Sequence, residues 1–441
     1  MPDLVQDRLL DGNQAPEILL PPPGPKSREY LAQGLRTSAP MGPPRSSQNG
    51  IVYGQARGVN VLDLDGNRFV DLAAGFGAML LGHSHPRICA ALQHQASTLL
   101  QALGDVYPSA VRLDLEQLLL DCCGIADGSV LLGLSGSDAV TAALKTALLA
   151  TGKPAVIAFT GGYHGLGHAP LSLCGLRESY RVPFAAQLNA HVTFVPYPTD
   201  SVVAERCLEL VASRLAHGDV GAIVVEPILG RGGCCIPPDG ALSELSSLAH
   251  RTGALVIADE IWTGLGRAGH WLVSHELGLL PDLICVGKGL GGGLPVSACL
   301  GRREVMRAWS REPEVVHTAT FAGAALGART ALTTLEILRE PGFMQARRLA
   351  GERWLKAIAR ACAALPSVAS VRGKGFMIGI DLGSRPGLAV TVMRRMLERG
   401  YIVSTGGGAR DVIILTPAIT IDDSQIDPFV AVLSEVLETI G

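Results

Sequence analysis

The sequence predicts an α/β fold built on a doubly wound, mostly parallel sheet, and three observations carry that prediction. Short runs rich in β-branched residues, Ala155 to Phe159, Ala222 to Val225, Ala254 to Ala258 and Leu283 to Val286, have the length and unbroken apolarity of strands buried on both faces. Helical patterns lie between them, among them Ser135 to Ala150 and Ala241 to His250, so helices and strands alternate. Two of the runs end in a charged residue, Asp259 and Lys288, and in such a sheet ligands bind at the carboxyl ends of the strands.

A carboxylate and an amine converging on one crevice suggest chemistry. Lys288 sits between Gly287 and Gly289, with Gly291, Gly292 and Gly293 following, so the backbone there is free to adopt conformations closed to other residues and leaves room for a bulky partner. A lone lysine in a glycine loop is usually a solvated surface residue. A lysine that forms a Schiff base needs that room, and pyridoxal 5'-phosphate is the cofactor whose aldehyde takes a lysine amine and whose ring nitrogen requires an acidic partner.

The stretches DEIWTGLGRAGHW and PDLICVGKGLGGGLPVSA resemble, in residue type and spacing, the signature of the class III aminotransferases, pyridoxal-phosphate enzymes of fold type I. The resemblance runs from about Gly58 to the C-terminus. It implies a large cofactor-binding domain, residues 75–321, around a mostly parallel seven-stranded sheet between helices. Residues 51–74 and 322–441 then form a small α+β domain, and residues 1–50 an N-terminal arm. It also implies that Lys288 carries the Schiff base and later moves protons, while Asp259 keeps the ring nitrogen protonated.

In chain order, the arm is rich in proline and polar residues, PPPGP at 21–25 and APMGPPRSS at 39–47, with no periodicity that defines an element. Val59 to Leu72 reads as a hairpin, because alternating apolar residues flank Asp65-Gly66. The glycines of AAGFGAMLLGHSHP suggest a chain passing close to a ligand, and a helix follows from about Pro86 to Leu103 with proline in its first turn. By the resemblance, Phe76 falls where relatives touch the substrate; an ordinary core phenylalanine is the equal alternative. Val130 to Leu134 reads as a strand and Ser135 to Ala150 as a helix opening on Ser-Gly-Ser. Its free N–H groups and dipole favour a phosphate. The resemblance to SGSEA assigns Gly136 and Ser137 to the cofactor phosphate, with Asp138 replacing the usual glutamate.

TGGYHG follows the next strand, and by the same resemblance Tyr163 lies over one face of the cofactor ring. An offset stack is worth about 0.5–1.5 kcal/mol beyond burial, so it holds and tilts the ring without supplying the catalysis. His164 reads as a structural hydrogen-bonding residue. The strand Ala222 to Val225 ends at Glu226-Pro227, before ILGRGGCCIPP. HTATFAG, from His317 to Gly323, resembles a segment whose threonine, here Thr320, binds the cofactor phosphate of the neighbouring subunit. That implies a homodimer with shared active sites. Helical patterns at about Ala324 to Leu338 and Met344 to Leu365, short strands, and a last helix from about Asp423 to Ile440 complete the chain.

The departures from the family pattern bear on specificity. Many relatives grip the substrate carboxylate with an arginine near the C-terminus and pair it, when idle, with a glutamate in QGEGG. Here the arginine position holds Ile414 and the glutamate position Arg231, so both halves changed together. Arg231 is a candidate to supply the guanidinium from the opposite side of the pocket, with Arg45 in the arm as the second candidate. The alternative is that Arg231 points to solvent and apolar contacts hold the substrate. Leu166 replaces an arginine that follows YHG in several γ-aminobutyrate transaminases, which argues against that substrate. Trp262 stands where a glutamine normally meets the cofactor's phenolic oxygen; it has a donor but no acceptor.

Composition limits the rest. A formal net charge of −3, without a dense basic block, argues against nucleic acid or an anionic membrane as partner. Ten cysteines include the adjacent pairs Cys122-Cys123 and Cys234-Cys235 but no CxxC pairs at zinc spacing, so no metal is expected and the thiols read as mostly buried. No window reaches the roughly 18 apolar residues of a membrane span, and no leader pattern opens the chain, so a cytoplasmic protein is expected. The expected function is a transaminase moving an amino group from an amine or amino acid, possibly a non-α amino acid, to a 2-oxo acid in two half-reactions. The alternatives are an aminomutase resembling glutamate-1-semialdehyde aminomutase, toward which GFGAMLLGH leans, and a catalytically silent pyridoxal-phosphate binder.

Overall fold

The apolar runs assemble into one seven-stranded sheet, in the order Gly128–Gly133, Ser297–Arg302, Leu283–Val286, Leu255–Asp259, Val220–Val225, Ala155–Phe159 and Val192–Val195. The computed structural model describes residues 10–39, 50–383 and 385–440. Ser297–Arg302 runs antiparallel to both of its neighbours, and the remaining pairings are parallel. Side chains alternate between the two faces, as a pleated strand requires. Val156, Ala158, Val224 and Ile257 meet the helix Gly136–Thr151 through its Ala139, Ala142, Ala143 and Ala147, small residues that let helix and sheet approach closely. Ile157, Phe159, Ile223 and Val225 face the helices Ser201–Leu215 and Ala241–Arg251 on the other side. Full burial of each such aliphatic or aromatic side chain is worth about 1.5–3 kcal/mol.

Register places the chemistry. Asp259 opposes Cys285 in the parallel pair, so Lys288, three residues beyond Cys285, emerges from the same edge of the sheet. Two further four-stranded sheets flank the large one. The first joins Tyr53–Arg57, Asn60–Asp63 and Arg68–Asp71, the predicted hairpin among them, to Tyr401–Ile402 from the C-terminal part of the chain. The second comprises Ser370–Lys374, Met377–Asp381, Val412–Leu415 and Ser404–Gly406. Trp354, Phe376, Tyr401 and Phe429 are fully buried in the core that these sheets share with the C-terminal helices.

Most predicted strands and helices lie within a residue or two of the expected bounds, and the helix expected to reach Leu365 ends at Cys362; three further elements differ. The arm holds a helix, Pro25–Thr37, where no element was expected. Its N-terminus is capped from afar: the Asp65 carboxylate in the hairpin turn accepts from Lys26 N and Ser27 N at 2.8 and 2.9 Å. No local signal marks that start. The helix predicted to reach Leu103 stops at Ala96, because the hydroxyls of Ser97 and Thr98 bond back to main-chain carbonyls and Gln95 turns its amide onto Leu99 O. The last helix is Ile426–Glu438, preceded by a 3₁₀ turn at Asp423–Gln425 that Asp422 caps. Arg45 lies outside the described residues.

Candidate active site

Lys288 opens a 3₁₀ turn, Lys288–Gly291, at φ +44°, a left-handed conformation that costs an L-residue about 1–2 kcal/mol. Gly289 makes this turn possible, since a Cβ there would stand 2.8 Å from Leu80 Cβ. The Lys288 amine lies 3.8 Å from the centroid of the Trp262 ring. Burial pushes its pKa down to about 7, outweighing the nearby charges of Asp259 and Glu226.

Asp259 is buried at the strand end and held from two sides. Its Oδ2 lies 2.7 Å from His164 Nδ1, and its Oδ1 accepts from Ile261 N at 3.1 Å. Burial opposes a charged His164 ring, but the hydrogen bond and charge of Asp259 prevail and raise its pKa. His164 therefore orients the carboxylate. Glu226, which sequence reasoning left without a role, is buried in the same cleft. Its carboxylate accepts from Tyr163 N at 2.8 Å and Gly230 N at 3.0 Å, tying together the two loops that carry Tyr163 and Arg231. Burial pushes its pKa up to about 7. Its place at the end of Val220–Val225 was the signal that would have found it: a charge ending a buried parallel strand, as at Asp259.

Lys288, Trp262, Asp259, His164, Glu226 and Tyr163, with Ser135, Gly136, Ser137, Gly165 and Ile261, line a cavity of about 180 Å³. Ser135 caps the helix Gly136–Thr151 by accepting from Asp138 N, and the Asp138 carboxylate accepts in return from Ser135 N and Leu134 N. The shorter aspartate thus completes a capping box, leaving the N–H groups of Gly136 and Ser137 without an acceptor among the described residues. Gly165, at φ +113°, is needed because a Cβ there would stand 2.2 Å from Ser137 Oγ.

Arg231 does not point to solvent. Its guanidinium lies 4.7 Å over the Tyr163 ring and has no carboxylate partner among the described residues. Ile414 is fully buried in an apolar cluster with Trp262, Ile228, Met377 and Val412, so the position that holds an arginine in relatives is an apolar wall here. The Trp262 indole is wedged between two glycines: a Cβ on Gly77 would stand 2.4 Å from Nε1, and one on Gly230 2.4 Å from Cε3. Its N–H has no partner among the described residues.

Phe76, Thr320, Leu166 and Arg231 do not line this cavity; Arg231 stands beside it, over Tyr163. Phe76 is 62% exposed, which removes the core alternative. It lies in one turn of left-handed helix, with φ of 44°, 58°, 57° and 84° at Ala74, Gly75, Phe76 and Gly77. Gly77 N bonds Ala73 O and Met79 N bonds Ala74 O, both at 2.9 Å. The two non-glycine residues store about 2–4 kcal/mol of strain between them. Thr320 is exposed, and its carbonyl accepts from Gln101 Nε2 at 2.5 Å. Leu166 is also exposed.

The donor set fits pyridoxal phosphate. An anion finds unpaired N–H groups at Gly136 and Ser137, an aromatic face is available at Tyr163, a carboxylate at Asp259 meets a basic ring nitrogen, and Lys288 offers an amine poised near neutrality. The amine has a consequence for the cofactor-free protein. A lysine whose folded pKa is depressed binds fewer protons folded than unfolded between pH about 7 and its ordinary 10.5, so stability rises with pH across that window. Thermal melting of the cofactor-free protein is expected to show this rise, and Lys288→Met to lose it.

Residues 41–437 match the family model described as Aminotransferase class-III. An acetylornithine aminotransferase of Methanosarcina acetivorans is 31% identical over 87% of this chain and 91% of its own. The 5-aminovalerate aminotransferase of Pseudomonas aeruginosa is 30% identical over 94% of this chain and all of its own. Among solved structures, an amine transaminase from an uncultivated Pseudomonas species, in its PLP-bound form, superposes with a TM-score of 0.85 at 25% identity over 91% of this chain and 98% of its own.

Proposed function

Since the chain belongs to the class III aminotransferases and uses pyridoxal 5'-phosphate to transfer amino groups, we propose that its donor is an amine or amino acid whose carboxylate Arg231 grips. The acceptor is a 2-oxo acid. One observation carries the proposal: Arg231 is a half-buried guanidinium over Tyr163 with no acidic partner among the described residues, while the usual arginine position is filled by buried Ile414. A guanidinium with no acidic partner among the described residues, standing beside such a cleft, suits bidentate capture of a carboxylate. The relatives named above are aminotransferases, which favours transfer between two substrates over the intramolecular mutase.

When bound, the cofactor supplies an aldehyde that condenses with amines and a conjugated ring that stabilises negative charge on carbon. The chain's own residues do the rest. Lys288 Nζ would take and return the proton at the donor carbon, a task typically worth about 10²–10⁴-fold. Asp259 holds a proton at the ring nitrogen, and His164 with Ile261 N fixes that carboxylate. Gly136 and Ser137 would hold the phosphate through their N–H groups, Tyr163 would offer its face to the ring, and Trp262 would bound the cleft beside Lys288. Phe76, exposed on the left-handed turn next to Gly77 and outside this chain's own cavity, is in position only for a part of the substrate that extends beyond that cavity.

Thr320 reaches the phosphate of a neighbouring subunit, so the working unit is a homodimer with shared sites. Its exposure and its absence from this chain's own cavity support that reading. The pairing of the hairpin with Tyr401–Ile402 supports grouping residues 51–74 with 322–441 as one small domain beside residues 75–321. All ten cysteines are free thiols and no described helix is long and apolar enough to cross a membrane, which supports a cytoplasmic location.

The test is the visible spectrum of the purified protein, titrated with single amines and amino acids in the absence of any oxo acid. The band of the lysine-bound cofactor is expected to bleach with a carboxylate-bearing donor. In Arg231→Met that donor is expected to lose about 10–100-fold in kcat/KM, the scale of one charge-assisted contact, while an amine lacking the carboxylate is unaffected. An unchanged ratio between the two donors removes Arg231 from substrate binding.

A further inference from the structure

The signature motif contains a buried arginine that the reaction leaves unused. Arg267 is 1% exposed and has no carboxylate partner among the described residues. The two terminal nitrogens of its guanidinium donate to carbonyls of three separate segments, while Nε has no partner among the described residues. Nη1 donates to Phe376 O at 3.3 Å and to Pro417 O, and Nη2 donates to Gly77 O at 3.4 Å. These acceptors come from the turn between Ser370–Lys374 and Met377–Asp381, the segment after Val412–Leu415, and the end of the left-handed turn.

That turn is fastened unevenly. At its start, Asp71 Oδ1 accepts from Ala73 N and Ala74 N at 2.9 Å each, and Thr416 Oγ1 donates to Ala73 O at 3.2 Å. At its end, Arg267 is the side chain that takes the Gly77 carbonyl. Gly77 also abuts the Nε1 edge of the Trp262 indole, and the Lys288 amine lies 3.8 Å from the centroid of that ring. A displacement of Gly77 is therefore passed to Trp262, one wall of the cleft, and to Phe76, its immediate neighbour.

We propose that Arg267 is a positioning residue for substrate selection: by clamping the Gly77 carbonyl to the Phe376 and Pro417 carbonyls, it holds the strained turn closed on Trp262 and so fixes the size of the substrate cleft. The proposal rests on the Lys288 cleft being the active site. A planar guanidinium is needed because its donors diverge in one plane toward three fixed acceptors, a fork that an ammonium group on a flexible stem cannot reproduce.

The experiment uses holoenzyme and a series of donors of increasing size. In Arg267→Lys, KM for the preferred donor is expected to rise about tenfold with kcat within about threefold, the cofactor band is retained, and discrimination between small and bulky donors narrows. Gly77→Ala attacks the same contact with the clamp intact. It is expected to raise KM similarly, and Trp262→Phe in the same chain, which trims the indole edge that the new methyl meets, recovers part of the loss. This second comparison decides the matter if the lysine variant does not fold. Folded variants at both positions with unchanged KM and unchanged donor ranking would overturn the proposal. Retention of turnover in Lys288→Met would instead overturn the active-site reading on which it rests.

Discussion

Lys288→Met is expected to abolish the visible band of lysine-bound cofactor and to lower transamination by at least about 10³-fold, while the protein remains folded. The chemical loss follows from removing both the Schiff-base nitrogen and the group proposed to carry the proton. The folded state tolerates the change for a separate reason. The native amine sits in a half-buried cleft, its charged form is disfavoured by desolvation, and a methionine of similar length replaces a group that is costly to desolvate with one that is not. Melting temperature at neutral pH is therefore expected to stay level or rise even as activity disappears. Absorbance, rate and melting measured on one preparation separate a lost chemical group from a lost fold. A variant keeping more than about a tenth of the native rate would mean that the proton is moved elsewhere.

Asp259→Asn is expected to lower kcat by roughly 10²–10³-fold, the scale of a single preorganised electrostatic contact, with a smaller effect on donor KM. The amide matches the carboxylate in shape but cannot carry its charge, and its single oxygen cannot serve both His164 Nδ1 and Ile261 N as two carboxylate oxygens do. A second readout follows from the histidine. His164 titrates above its ordinary 6.5 because the hydrogen bond and charge of Asp259 outweigh burial, so their contribution to stability is fully present below that value and fades as pH rises through the raised one. The asparagine variant should lose most stability, relative to the native chain, on the acidic side. A deficit independent of pH would show that the pair is not charged.

The large sheet was legible because its strands are continuous apolar runs whose ends are marked by charge, and because a parallel sheet puts those ends on one edge. The same rule that singled out Asp259 and Lys288 applied to Glu226 and was not pressed there. Other features depend on contacts that no local pattern records. The helix Pro25–Thr37 is started by Asp65, nearly forty residues away. Arg267 donates to carbonyls distant in sequence, which carry no sequence signature at all. Trp262 for glutamine and Ile414 for arginine were visible as departures, but their mutual packing against Ile228 and Met377 was not. The left-handed turn was hinted at by its glycines, whereas positive φ at Ala74 and Phe76 has no residue-type signal.

The wedging of Trp262 between Gly77 and Gly230, with Ile414 in the same cluster, has a bearing on how such an enzyme diversifies. Each member leaves room for, or fills space left by, another, so a change at one position meets either a clash or a void. Remodelling the cleft for a different donor therefore proceeds by coordinated replacement. Libraries that randomise these positions together should recover active variants that one-at-a-time scanning passes over.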